Sequence, residues 1–183
     1  MTDSPGTRGT VRRVVIEADG GSRGNPGPAA YGAVLKDADT GEVLAEDGST
    51  IGEATNNVAE YAGLIAGLKL AEEFTPEADI EVRMDSKLVV EQMSGRWKVK
   101  HPSMRPLAVE ANRLAPFGTT YTWVPRAENA HADRLANEAL DGLRHGVTVG
   151  GEPPAAWAEP LEEETAEPGA PEAAAPASAE APA

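Results

Sequence analysis

The sequence predicts an α/β fold in which a mixed five-stranded sheet carries helices on both faces. β-rich runs and runs with helical spacing of apolar residues follow one another in the order β-β-β-α-β-α-α-β-α. The first three strands have short connections, which favour antiparallel neighbours. The later strands alternate with helices, which requires parallel, right-handed crossovers.

The three N-terminal strands lead into a long predicted helix. A glycine- and proline-rich loop, GGSRGNPGP, follows the first strand, and the turn DADTG joins the second and third as a hairpin. Thr55-Asn56-Asn57 can cap the helix, whose apolar residues recur at helical spacing from Tyr61 to Leu68. The predicted strands span residues 11–19, 30–36 and 42–51.

Shorter elements fill the second half of the chain. Strands are predicted at residues 80–84 and 121–124, and helices at residues 86–94 and 107–114. A final helix is predicted from an apolar stripe that comprises Ala132, Leu135, Ala136, Ala139, Leu140 and Leu143.

The composition excludes several kinds of site and organises the chain. Its 183 residues include no Cys, so disulfides, zinc fingers, iron–sulfur clusters and thiolate nucleophiles are excluded. Neither a signal-like N-terminus nor 18 consecutive apolar residues are present, so we expect a cytoplasmic protein without membrane contact. We also expect the protein to be a monomer. We predict a flexible N-terminus at residues 1–10 and a single domain at residues 11–145.

The net charge of −14 is unevenly distributed along the chain. Residues 146–183 contain eight Glu, seven Pro and twelve Ala, with no Lys or Arg. Such a segment cannot bury enough apolar surface to offset the entropy of ordering it. We therefore predict a disordered acidic tail or linker at residues 146–183, which is compatible with a further domain fused beyond residue 183.

Four carboxylates lie at positions where ligands are often bound, although each also has a structural explanation. Asp19 can initiate a turn, and Glu60 has capping-box spacing from Asn57. Asp85 follows a strand, where ligands bind in α/β sheets, but it can also cap the next helix. Asp133 flanks the apolar stripe of the last helix and can be an ordinary solvated acid.

Taken together, the segments that contain these acids resemble type 1 ribonuclease H. They are ADGGSxGNPGP, TNNxAEYxGLIxGL, xDSKLVVxQ and WVPRxENxxADxLANxAL, in this order over residues 18–140. The resemblance implies a ribonuclease H-like fold, which agrees with the predicted element order. It also places the catalytic, metal-binding quartet of that family at Asp19, Glu60, Asp85 and Asp133.

The chemistry implied by the resemblance requires clustered carboxylates. Two Mg²⁺ ions about 3.5–4 Å apart can activate a water molecule and neutralise charge on the attacking and leaving oxygens. Such hard cations prefer oxygen ligands, and Mn²⁺ can substitute for them. The resemblance implies endonucleolytic cleavage of the RNA strand of an RNA/DNA hybrid, with 3′-hydroxyl and 5′-phosphate ends.

Substrate contacts are expected on both sides of the acids. Gly20 begins a loop whose backbone can approach a sugar closely. By resemblance, Asn25, Asn56 and Asn57 contact the minor groove of the hybrid, where the 2′-hydroxyl lies. Thr55 is placed for a phosphate of the DNA strand, with helix capping as the competing role for Thr55 and Asn56.

A basic run gives the acidic chain a local attraction for a polyanion. Trp97 within the run can stack on a base or sugar, and the run is shorter than the basic helix-loop of other family members. We therefore expect weaker hybrid binding and a steeper need for Mg²⁺, unless the run is only a solvated face. Its basic residues are Arg83, Lys87, Arg96, Lys98, Lys100 and Arg105.

Arg126 occupies roughly the position at which many family members carry a loop histidine. We expect it to steady the scissile phosphate or the departing product. His131 lies two residues before Asp133, which directs it away from the acid-bearing face of the helix. We predict that His131 is exposed to solvent.

Two alternative functions agree less well with the sequence. A 3′–5′ exonuclease or strand-transfer enzyme of the same superfamily would use differently spaced acids and would lack the TNNxAEY segment. A hybrid-binding module without catalysis gains nothing from clustered negative charge facing phosphates. A labelled RNA/DNA hybrid incubated with and without Mg²⁺ distinguishes the binding module from the nuclease.

Overall fold

A computed structural model describes residues 11–150 of the chain. The predicted N-terminal segment 1–10 and residues 151–183 of the predicted tail lie outside the described residues. The strands are β1 (Arg13–Ser22), β2 (Gly27–Asp37), β3 (Val43–Ala54), β4 (Asp79–Met84), β5 (Thr120–Trp123) and β6 (Gly146–Val149). The helices are α1 (Asn56–Phe74), α2 (Lys87–Met93), α3 (Arg105–Leu114) and α4 (Ala130–Leu140), with a 3₁₀ turn at Arg126–Asn129.

The strands form one mixed sheet in the order β5-β4-β1-β2-β3-β6. β1, β2, β3 and β6 pair with one another in antiparallel fashion, whereas β4 runs parallel to both β1 and β5. The predicted α/β class and mixed sheet are therefore confirmed. Within residues 11–150, no helix is long and apolar enough to span a membrane.

The strand count and the domain boundary differ from the prediction. The sheet has six strands, because Gly146–Val149 pairs with the outer edge of β3 from Ala45↔Val149 to Gly48↔Gly146. The Gly150 N–H extends this pairing to the Leu44 carbonyl at 2.8 Å. The predicted domain boundary after residue 145 therefore lies before the last strand of the sheet. The prediction rested on the composition of residues 146–183 as a whole and overlooked the short β-branched sequence GVTV at its start.

The two faces of the sheet carry different helices. α1 packs against β1 and β2 through a core that includes Ile16, Leu35, Leu64 and Leu68, all at most 1% exposed. On the other face, α4 packs against β2 through Leu135, which contacts Val34. Helices on both faces leave the carboxyl ends of β1 and β4 between α1 and α4.

Two glycines allow both helices to approach the sheet closely at that point. A Cβ on Gly20 would lie 2.1 Å from the Ala59 carbonyl oxygen of α1, and a Cβ on Gly32 would lie 2.1 Å from the Ala132 carbonyl oxygen of α4. Neither side chain can be added without moving a helix. Ala59 and Ala132 immediately precede Glu60 and Asp133. The close contact of each helix with the sheet therefore determines how near these two acids lie to the end of β1.

Candidate active site

The sheet and two helices bring the four predicted acids to one place. Asp19 and Asp85 directly follow Ala18 and Met84, which are register partners on the parallel strands β1 and β4. Glu60 comes from the first turns of α1, and Asp133 from the first turn of α4. Gly32, over which α4 approaches, is itself the antiparallel partner of Asp19.

The electrostatics of Asp19 show that the four carboxyls converge. Asp19 is only 7% exposed, and this burial is the largest cause that raises its pKa well above the usual range. The negative charges of Asp85, Glu60 and Asp133 raise the pKa of Asp19 further. The interaction with the Asp133 side chain acts in the same direction, so these two carboxyls lie close together.

Glu60 is perturbed by the same environment. Burial raises its pKa from 4.5 to about 7, and the negative charge of Asp85 adds to the increase. A hydrogen bond from the Ser86 hydroxyl and the positive charge of Arg126 partly oppose it. Glu60 therefore lies within electrostatic reach of both Asp85 and Arg126.

The structure excludes the capping roles considered for two of the acids. The N-cap of α1 is Thr55, whose hydroxyl accepts the Val58 N–H at 3.3 Å, so Glu60 does not complete a capping box with Asn57. The N-cap of α2 is Ser86, whose hydroxyl accepts the Val89 N–H at 3.2 Å. The Asp85 carboxyl is therefore not needed to cap α2.

The donor set fits hard divalent cations. Clustered carboxylate oxygens are the ligands that Mg²⁺ and Mn²⁺ prefer, and the mutual repulsion of the four acids calls for positive charge. Within residues 11–150, no three His, Cys, Asp or Glu side chains already form a ready ligand set. Side-chain rotation would therefore be required before the four carboxyls could share an ion.

The residues predicted to contact the minor groove join two loops beside the acids. The Asn25 side-chain oxygen accepts the Asn56 N–H at 3.0 Å, and the Asn56 side-chain oxygen accepts the Ser22 N–H at 2.9 Å. These hydrogen bonds hold the β1–β2 loop against the start of α1. Asn57 is exposed, whereas the Cα of Gly20 faces α1.

The part of the basic run from Arg96 to Lys100 follows α2, and its backbone is hydrogen-bonded to a buried side chain. Gln92 accepts a hydrogen bond from the Tyr61 hydroxyl at 2.7 Å and donates one to the Lys98 carbonyl oxygen at 3.1 Å. Trp97, Lys98 and Lys100 remain exposed. The run therefore presents its side chains to solvent from a backbone that is tied to the core.

Sequence reasoning missed two residues that contact Asp85. The Trp123 Nε1–H donates to the Asp85 carbonyl oxygen at 3.2 Å, and the Lys87 Nζ lies 5.9 Å from the centre of the Trp123 ring. The Asn129 Nδ2 donates to Asp85 Oδ1 at 3.1 Å. Both residues belong to the WVPRxENxxAD segment, but spacing alone does not indicate that their side chains turn toward β4.

The prediction that His131 is exposed was wrong. Its Nε2 lies 2.6 Å from Glu46 Oε2, and the Glu46 side chain is only 2% exposed. Arg144 lies 3.5 Å from the other oxygen of the same carboxyl. The buried carboxylate of Glu46 on β3 thus holds His131 on a side of α4 away from the acids. The alternation of apolar and polar residues along β3 did not indicate that the Glu46 side chain is buried.

The architecture defines an α/β domain with an acidic site at the carboxyl ends of two parallel strands, and comparisons with known proteins agree with it. A family model described as "Reverse transcriptase-like" matches residues 17–139. The "Bifunctional protein Rv2228c" of Mycobacterium tuberculosis is 59% identical over 143 residues, which are 77% of this chain and 39% of that protein. The chain thus spans about two fifths of the length of this relative.

Two solved structures match this chain over nearly their whole length and have the same fold. RNase H1 from the halophilic archaeon Halobacterium salinarum is 52% identical with a TM-score of 0.67, over 71% of this chain and 98% of that one. LC11-RNase H1, solved in complex with an RNA/DNA hybrid, is 40% identical with a TM-score of 0.67, over 71% and 98%. The chain belongs to the type 1 ribonuclease H family.

The raised pKa of Glu60 predicts that the free energy of unfolding of the metal-free protein depends on pH. Between pH 4.5 and about 7 the folded state binds more protons at Glu60 than the unfolded state, so its stability falls as the pH rises. Glu60→Gln removes this dependence. In EDTA we expect the variant to gain on the order of 3 kcal/mol over wild type by pH 8, measured by urea unfolding.

Glu72→Gln, an exposed change on the same helix, is the control and should leave the pH profile unchanged. A constant difference between Glu60→Gln and wild type from pH 4.5 to pH 8 would show that Glu60 titrates normally in the folded protein.

Proposed function

We propose that this domain hydrolyses the RNA strand of RNA/DNA hybrids endonucleolytically and leaves 3′-hydroxyl and 5′-phosphate ends. The proximity of three further carboxyls to the buried Asp19 is the observation that carries the proposal, and the raised pKa values of Asp19 and Glu60 agree with it, since burial and neighbouring negative charge both act on these two groups. Relatives named ribonuclease HI and a related enzyme solved with an RNA/DNA hybrid support this substrate.

We further propose that Asp19, Glu60, Asp85 and Asp133 hold two Mg²⁺ ions, which Mn²⁺ can replace. When bound, these ions would supply an activated water molecule and neutralise charge on the attacking and leaving oxygens. Asp19, Glu60 and Asp133 come from β1, α1 and α4, and Asp85 comes from the connection between β4 and α2. The fold therefore fixes the backbone positions of the four residues before any ligand arrives, and rotation of the side chains is the rearrangement that remains.

Other side chains have roles in holding the nucleic acid. The Arg126 guanidinium, whose charge reaches Glu60, is placed to steady the scissile phosphate or the departing product. The exposed Asn57 and the loop held by Asn25 and Asn56 are proposed to face the minor groove, where a 2′-hydroxyl distinguishes RNA from DNA. Lys87, over the Trp123 ring, is proposed to contact the strand beside Asp85.

A fused second domain and a cytoplasmic location remain proposals. The name "Bifunctional protein" of the mycobacterial relative, of which this chain spans 39%, supports a further activity in a longer protein.

Cleavage of a defined hybrid tests the proposed function. Wild type should cut the RNA strand of a labelled RNA/DNA hybrid in Mg²⁺ and not in EDTA, with products that carry 3′-hydroxyl and 5′-phosphate ends. Asp85→Asn keeps the shape but removes one charge and one carboxylate oxygen, so cleavage should fall by at least about a hundredfold while metal-free stability rises by about 1 kcal/mol.

Glu81→Gln, on β4 but outside the site, is the matched control and should cleave normally. Absence of cleavage by wild type in Mg²⁺, or wild-type cleavage by Asp85→Asn, would contradict the proposed function.

Hybrid affinity should depend on the anchored basic run. Lys98→Ala combined with Lys100→Ala should weaken binding in EDTA and reduce the slope of log K against log salt by about 0.7–0.9 for each phosphate that the protein no longer neutralises. Fluorescence anisotropy at several salt concentrations measures this slope. A control with Lys69→Ala and Arg113→Ala removes two charges from α1 and α3; an equal change in both double variants would mean that the run is only a solvated face.

A further inference from the structure

Asn129 occupies the N-cap position of α4 but does not cap it. An Asn at this position usually accepts a backbone N–H of the first helical turn. The Asn129 side chain makes no such hydrogen bond, and it is 1% exposed. Something other than the helix end therefore determines the orientation of this side chain.

The side-chain amide instead joins the ends of the two central parallel strands. Nδ2 donates to the Ala18 carbonyl oxygen of β1 at 2.9 Å and to Asp85 Oδ1, just beyond β4, at 3.1 Å. An amide nitrogen carries two protons, so each acceptor can take one. Ala18 immediately precedes Asp19, and thus a single group contacts the backbone beside one acid and the carboxyl of another.

The other end of the same amide strengthens this interpretation. The Asn129 Oδ1 is buried and has no hydrogen-bond partner among the described residues. A buried carbonyl without a partner is unfavourable, and an aspartate or serine would cap α4 equally well. Helix capping therefore does not explain why this residue is an asparagine, whereas its two donated hydrogen bonds do.

We propose that Asn129 is a positioning residue for the acidic site. By holding Asp85 Oδ1, it fixes the orientation in which the Asp85 carboxyl would meet a cation. By binding the Ala18 carbonyl, it fixes the start of α4, and with it Asp133, against the end of β1. This inference rests on the proposed function, since it takes the four acids to be cation ligands.

Two substitutions separate positioning from capping. Asn129→Asp has the same shape but replaces the donor with a carboxylate oxygen, and Asn129→Ser is too short to reach Asp85. Both are good N-cap residues, so a capping role would survive both changes. Loss of positioning should raise the Mg²⁺ concentration for half-maximal thermal stabilisation by roughly tenfold or more, as for other residues that orient metal ligands.

Thermal melts in EDTA and over a Mg²⁺ titration measure this shift without any cleavage. In the cleavage assay, kcat should fall while KM for the hybrid stays near the wild-type value. Asn112→Asp, on an exposed face of α3, controls for the change in net charge, and Asn129→Ser tests positioning without any added charge beside Asp85. Wild-type cation dependence in both Asn129→Asp and Asn129→Ser would overturn the proposal.

If neither Asn129 variant folds, a measurement on the wild-type protein still tests the proposal. The Asn129 side-chain amide resonances should shift on Mg²⁺ addition with the same midpoint as thermal stabilisation, and resonances that do not move would overturn the proposal. The two proposals fail separately. A wild-type protein that is stabilised by Mg²⁺ but cleaves no hybrid contradicts the proposed function, whereas the Asn129 variants still test positioning.

Discussion

Mutual repulsion among four buried or half-buried carboxyls is the constraint on which the rest of this structure depends. Asp19 is only 7% exposed, and the charges of Asp85, Glu60 and Asp133 all act on it. Such a group does not assemble through its own interactions, because like charges held close together repel one another. The surrounding fold must therefore hold the carboxyls together, and several of its less usual features lie where this is needed.

These features act on the backbone next to the acids. Gly20 and Gly32 allow α1 and α4 to reach the sheet at Ala59 and Ala132, which places their following residues beside Asp19. The hydrogen bond from Asn129 to Asp85 then orients that carboxyl, and the Ser86 hydroxyl favours the ionised form of Glu60. Apolar packing of the helices on both faces supplies the stability that permits this local cost.

Sequence patterns predicted the features that are encoded locally. Strand and helix order, the cap at Thr55 and the sheet-end position of Asp85 follow from periodicity and turn chemistry over a few residues. The missed features depend on partners distant in sequence. β6 forms because the edge of β3 is available, and His131 turns toward Glu46, 85 residues away. No local pattern distinguishes Asn129 as a positioning group from Asn129 as a cap.

Direct titration of the carboxyls by carbon-13 NMR tests the central claim most simply. With specific labelling, Glu60 should titrate near pH 7 in EDTA and Asp19 well above its ordinary range. Saturating Mg²⁺ should move both midpoints down, because a bound cation favours the ionised form. Ordinary midpoints for both groups in EDTA would contradict the claim that the fold buries these acids beside one another.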